Sequence, residues 1–375
     1  MQSEQIDLPE VTPGTRRYLV AHRFGHAGAR PKVYIQGALH GDELPGILVA
    51  CHLRDRLQQL ETAGRVTGEI CLVPVANPIG LSQEIMNRHL GRYDLAEMTN
   101  FNRDWPDFTE LLAERVGAML GTNPARNVSL VRKTLLELVA GMPVDTENAA
   151  LRRVLLSRAI DADLVIDMHC DLDAVTHIYM GAELWPDAAD LVAEVGARAA
   201  LLTEMSEGIS SFEDACSAPW WLLRQRSPSA VIPNACLSAT VEYRGLRDVS
   251  EELAAQDAAA LERFLTRRGV IAGNVGPPPP LVCAPTPLAG VENARTSRAG
   301  LLSYLVRPGA TVAAGDLLAR VVDPLTGDAA EVTASTAGVV FASATVRLAR
   351  AGELICKVAG SEPLPRHEGR PLLSD

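Results

Sequence analysis

At 375 residues with 47% hydrophobic content, the chain can bury a sizeable core and hold one large domain plus a small one, which excludes a largely disordered polymer. A formal charge of −11 without any basic run argues against nucleic acid or an anionic membrane as partner and favours an enzyme for small molecules. The seven cysteines, Cys51, Cys71, Cys170, Cys216, Cys236, Cys283 and Cys356, contain no Cys-x-x-Cys pair, which argues against a disulfide framework and a thiolate zinc site and fits a reducing compartment.

The N-terminus, Met-Gln-Ser-Glu-Gln-Ile-Asp, lacks the basic region and apolar core of a signal peptide, and no apolar run is long enough to span a bilayer. The expected location is cytoplasmic. Residues 16–24 read as a lead-in strand, and His22 and His26 are given no chemistry. Residues 32–38 have the β-branched and aromatic content of a buried strand, Gly37 and Gly41 permit a tight turn, and helical spacing runs from Leu44 to Leu60 before Gly64. His40 and Glu43 therefore sit on a strand-to-helix loop. Three apart, an imidazole and a carboxylate can converge on one ion if a third ligand arrives from elsewhere. The pair alone is weak evidence, because His-x-x-Glu is common among solvated helix neighbours. Residues 69–75 read as a second buried strand, closed by Asn77-Pro78-Ile79-Gly80. The connection 81–107 is long and polar for a compact α/β domain, and its Arg88, Arg92, Asn102 and Arg103 are groups of the kind that bind anions.

Helical patterns at 108–120, 129–139 and 146–158 precede an apolar run, 164–166, that ends in Asp167-Met168-His169-Cys170-Asp171. A buried parallel strand delivers side chains to its carboxyl end in this way, and His169 is the expected third ligand. A hydrogen-bonded core histidine is the bland reading of His169; its agreement with His40 and Glu43 outweighs it. Two imidazoles and one carboxylate leave an open position on a Zn2+ ion, as in a catalytic site, with one zinc expected per chain. Asp167 is placed to orient a ligand or to cap local backbone. A strand at 177–181 leads into a helix at 187–201. A further strand at 238–243 ends in Glu242-Tyr243-Arg244-Gly245, and an amphipathic helix at 250–268, capped by Ser250, closes a first domain over residues 1–276. Strand and helix alternating along the chain predict a mostly parallel sheet with helices on its faces. The proline run 277–280 opens a second domain, residues 277–375. There, 300–306, 317–322, 339–342 and 353–358 are short strand candidates between Pro-Gly, Ala-Gly and Thr-Gly turns, giving a small all-β module.

Residues 306–321 resemble the barrel-sandwich fold of biotinyl and lipoyl carrier domains. Those carriers display a lysine on a hairpin tip, and the corresponding tip here, Asp323-Pro324-Leu325-Thr326-Gly327-Asp328, has none. The resemblance supports the fold and not a carrier role. With His40-x-x-Glu43, Asn102-Arg103, His169 and Glu242 in that order ahead of the β module, the chain resembles the succinylglutamate desuccinylase and aspartoacylase family, built on the zinc carboxypeptidase fold. The resemblance implies an α/β class protein with a three-layer α/β/α domain on a mixed, mostly parallel sheet. It implies metal ligands at His40, Glu43 and His169, a general base at Glu242, and a carboxylate-holding pair at Asn102 and Arg103. The carbonyl-polarising arginine falls on Arg92, with Arg88 as the alternative. The implied activity is zinc-dependent hydrolysis of the amide (acyl) bond of a small carboxylate-bearing substrate such as an N-acyl amino acid. Two readings compete: a metallocarboxypeptidase acting on peptides with the same groups, and a non-catalytic metal-binding or interaction protein, which would have no need of a general base at Glu242. The expected partner is a small-molecule amide, with no nucleic acid and no membrane; a homo-oligomer is left open.

Overall fold

The computed structural model describes residues 1–204, 209 and 211–364. Its centre is a nine-stranded sheet ordered Gln2–Asp7, Tyr18–Gly25, Glu69–Val73, Lys32–Gly37, Leu164–Asp171, Leu237–Gly245, His177–Gly181, Ala199–Thr203 and Pro285–Pro287. The four strands from Glu69–Val73 to Leu237–Gly245 run parallel. The first two strands are antiparallel additions at one edge, and His177–Gly181 runs antiparallel to Leu237–Gly245. This is the mixed, mostly parallel α/β sheet expected from the alternation of elements.

Side chains alternate across a strand, and here both faces are covered, so the central strands read as continuous apolar runs. Leu164, Ile166 and Met168 pack with Val49, Leu53 and Leu57 of helix Pro45–Thr62 and with Leu261 and Phe264 of helix Glu251–Arg267. Val165 packs on the opposite face with Leu135, Leu155, Phe212 and Trp220, from helices Pro124–Ala140, Glu147–Ala159 and Phe212–Arg226. By that alternation Asp167 and His169 share the face of Val165. Helix ends follow their caps: Thr146 accepts from Ala149 N and Ser250 from Leu253 N, each satisfying an otherwise orphaned amide.

Several expectations fail for local physical reasons. The helix predicted over 187–201 covers only Ala189–Glu194; Gly196 at φ 64° ends it, and Ala199–Thr203 enters the sheet as a strand. Helix Phe212–Arg226 gave no legible pattern, because it is buried on most sides and carries Pro219 in its interior. The edge strand Gln2–Asp7 escaped notice because its side chains are nearly all exposed and polar. The long connection 81–107 folds into two tight antiparallel pairs, Glu84–Ile85 with Arg88–His89 and Tyr93–Asp94 with Thr99–Asn100.

After Pro287, two further sheets of five and four strands enclose a core of Leu302, Leu318, Val321, Val340, Ile355 and Val358. Strands are traded between the two parts of the chain. Pro285–Pro287 lies beside Ala200–Leu202 on the large sheet, while Asp173–Ala174 pairs with Ala342 and Ser343 in the five-stranded one. Leu201, Leu288, Val291 and Phe341 fill the seam. The cysteines are unpaired, and no described helix is long and apolar enough to cross a membrane.

Candidate metal centre and active site

Strand Lys32–Gly37 ends at Ala38, whose φ of 57° lies in the left-handed region that few non-glycine residues adopt. The chain then turns through His40 to Glu43 and enters the helix at Pro45. Gly41 serves this turn by closeness. Its N–H donates to Gly91 O at 2.8 Å, and a Cβ on Gly41 or Gly91 would fall 2.1 Å from backbone atoms of Leu81 or Asp42. Two bare backbones in contact therefore press the 81–107 segment onto the His40 loop, and the residue after Gly91 is Arg92.

Three side chains converge there. His40 Nδ1 lies 2.8 Å from Glu43 Oε1, and His169 Nδ1 lies 2.7 Å from Glu43 Oε2. All three residues are buried, their ligand atoms within 4.8 Å of one another. On the outer side His40 Nε2 donates to Asn100 Oδ1 at 2.9 Å, and His169 Nε2 lies 2.9 Å from Asp167 Oδ2, a charge contact that is out of line for a hydrogen bond. Asn100 Oδ1 also accepts from Asn102 N, which fixes it as the amide oxygen. With protons on both Nε2 atoms, the Nδ1 lone pairs and the Glu43 carboxylate point at one another, which demands positive charge among them. Two imidazoles, one carboxylate and oriented outer partners suit a divalent metal ion. Burial opposes charge on all three groups. It lowers the His40 pKa, whereas Asp167 and Glu43 overcome it and raise His169, and the two histidines hold Glu43 well below the usual carboxylate range.

The other expected residues ring the same cavity, which His40, Arg92, Asn102, Arg103, His169 and Glu242 all line. Arg92 Nη1 is 3.3 Å from both Glu43 Oε1 and His40 Nδ1; Arg88 sits exposed on the first tight hairpin and does not line the cavity. Asn102 is buried and its Oδ1 accepts from Phe212 N at 2.8 Å, so its amide nitrogen is the end left for a ligand. Arg103 donates to Asn102 O at 2.8 Å. Glu242 stands opposite His169 across adjacent strands, at a bulge in the pairing, an irregularity that re-aims side chains beside sites. Its neighbour Arg244 pairs with Asp257 and not with Glu242. Glu242 Oε2 is buried without a hydrogen-bond partner. Burial, then the Glu43 and Asp171 carboxylates, push its pKa up to about 8 against the pull of His169 and Lys357.

Sequence reasoning missed Asn100, which orients His40, and most of the far wall. Lys357 reaches the cavity from strand Leu354–Gly360 and donates to Asp171 Oδ2 at 2.7 Å. Phe341 packs on the His177 ring with centroids 4.9 Å apart and lines the cavity with Leu288, Val291 and Asn293.

Residues 29–127 match the model of the succinylglutamate desuccinylase/aspartoacylase catalytic domain. The chain superposes on a Shewanella amazonensis protein assigned to that family with a TM-score of 0.84 and 26% identity, covering 96% of this chain and 98% of the other. A second protein so assigned, from Shewanella frigidimarina, gives 0.81 and 23% over 96% and 97%. The product-bound ectoine utilization protein EutE (DoeB) of Ruegeria pomeroyi gives 0.64 and 20% over 96% and 95%. A search of curated proteins gives no match.

Proposed function

We propose, from a chain that resembles the succinylglutamate desuccinylase/aspartoacylase family and carries its catalytic-domain match at residues 29–127, that it is a zinc-dependent hydrolase of the acyl amide bond in an N-acyl amino acid. The observation that carries this reading is the meeting of His40 Nδ1, His169 Nδ1 and the Glu43 carboxylate beside a carboxyl group, Glu242, that has no other partner. Held by His40, Glu43 and His169, a divalent ion would supply a Lewis acid and lower the pKa of a water from about 15.7 to about 7.

The remaining work falls to side chains. Glu242 takes the proton of the attacking water at its unpartnered oxygen and passes it to the leaving nitrogen as the C–N bond breaks, giving a carboxylic acid and an amine. A raised pKa suits both halves of that task. Arg92 donates to the carbonyl oxygen as negative charge develops, a contribution of about 3–4 kcal/mol for a well-placed donor. Arg103, with the Asn102 amide nitrogen, grips the substrate carboxylate in a forked geometry. The small module proposed for residues 277–375, of which 365–375 lie outside the described residues, is read as a barrel-sandwich unit whose strands wall the cavity.

Metal analysis and liquid chromatography on N-acetyl, N-succinyl and N-formyl amino acids, beside peptides with free C-termini, test the reading. One zinc per chain and release of a free amino acid from an N-acyl substrate are expected. Trimming of peptides with no action on N-acyl amino acids would make the protein a carboxypeptidase instead.

A further inference from the structure

The cavity contains a carboxyl group that the hydrolysis above leaves idle. Glu213, in the first turn of helix Phe212–Arg226, is 8% exposed and lines the cavity, with its Oε2 shut from solvent and without a hydrogen-bond partner. The residue is pinned by its backbone: its carbonyl oxygen accepts from Ser238 Oγ at 2.7 Å and from Ser217 Oγ at 3.2 Å. Ser238 belongs to strand Leu237–Gly245, and by alternation Ser238, Thr240 and Glu242 share one face of it. Thr240 is 3% exposed, also lines the cavity, and its Oγ1 likewise has no partner.

Glu213 Oε2 and Thr240 Oγ1 lie on one cavity wall without partners, a pair of acceptors that suits a ligand bringing its own donors. The surrounding charge decides which donors. Asp214 follows Glu213 in the chain, and Asp167 stands in register with Thr240 on the adjacent strand. Burial, followed by Asp214 and Asp167, pushes the Glu213 pKa up to about 7. Glu213 and Asp214 both line the cavity, so a ligand carboxylate would meet two acids here, whereas an ammonium group would meet two acceptors in a negative field.

We infer that Glu213 and Thr240 form a subsite for a protonated amino group on the substrate, which narrows the class to N-acyl amino acids whose side chain carries a second, cationic nitrogen. This rests on the hydrolase reading above and extends it. Arg103 and Asn102 take the carboxylate, and Glu213 takes the amine of the same molecule.

Nα-acetyl-L-ornithine and Nα-acetyl-L-norvaline differ in the distal amine, and the free amino acids L-ornithine and L-norvaline differ in the same way. The kcat/KM ratio of the first pair and the calorimetric affinity ratio of the second are measured in the wild-type protein, in Glu213→Gln and in Thr240→Val, each checked by thermal melting. The wild type should favour the ornithine member of both pairs at least tenfold, and Glu213→Gln should lower both ratios by about that factor, with a smaller drop in Thr240→Val. Ratios near unity in the wild type, ratios unmoved by both substitutions, or preference for Nα-acetyl-L-glutamate over the ornithine compound would overturn the subsite. Should no acyl compound be hydrolysed while the calorimetric contrast is present and lost in Glu213→Gln, the hydrolase reading fails and the subsite stands.

Discussion

The ion pair across the seam gives a measurable test of how far the two parts of the chain share one site. Lys357 Nζ lies 2.7 Å from Asp171 Oδ2, and the two side chains are 20% and 15% exposed. Burial works against charge on Asp171, and Lys357 is the largest influence that nonetheless keeps its carboxyl below the usual value. Lys357→Met removes the ammonium and leaves that carboxylate in place. Breaking a fully buried pair from one side costs roughly 3–5 kcal/mol, and residual solvent contact reduces this to about 2–3 kcal/mol here. Asp171→Asn alone should cost less, about 1 kcal/mol, because its ammonium partner is the more flexible group and reaches the wet cavity. Combining the two should recover part of the loss, with a coupling of about 1–2 kcal/mol for residues in direct contact. Denaturant midpoints of the four proteins, followed at fixed metal content, supply the cycle. Strict additivity of the two single losses would show that the contact carries no energy and that the module is only leaning on the cavity.

Three further outcomes are expected. Glu242→Gln should keep its metal and lose roughly a hundredfold to ten-thousandfold in kcat, since an amide of the same shape cannot accept the proton; wild-type turnover would remove Glu242 from the mechanism. His169→Ala should strip most of the zinc on dialysis against a chelator, and full metal occupancy after that treatment would mean that the third ligand lies elsewhere. Arg103→Lys should lower kcat/KM for an N-acyl amino acid far more than for its methyl amide, because a point charge replaces a two-bond fork; an unchanged ratio would remove the carboxylate-reading role.

The meeting of the three residues proposed as metal ligands was legible because their types and positions coincide: a strand-to-helix loop offers His40 and Glu43, and a strand end offers His169. Arg92 could not be separated from Arg88 by spacing. The contact of Gly41 with Gly91 brings Arg92, and not Arg88, beside Glu43. Asn100, Glu213, Thr240 and Lys357 are ordinary polar residues in the sequence, and what singles them out is a meeting between distant segments. Asn100 lies 60 residues from the histidine it orients, and Lys357 lies 186 from its aspartate. Periodicity also failed wherever burial was nearly all round, as in helix Phe212–Arg226, because an element without a wet face has no alternation to read.

The position of Lys357 bears on what the small module does. The carrier domains that residues 306–321 resemble need a lysine on an exposed hairpin tip, where a swinging cofactor can leave the protein surface. The one lysine between residues 281 and 375 instead lies mid-strand, bonded to Asp171 two residues beyond His169. Its neighbour across the five-stranded sheet, Ala342, is paired with Ala174 of the large part, and Phe341 beside it covers His177. Phe341 and Lys357 thus form part of the wall of the cavity. Both parts of the chain line this cavity, so under the proposed function selection between substrates is expected to respond to substitutions on the Phe341 and Lys357 strands as well as to those around His40.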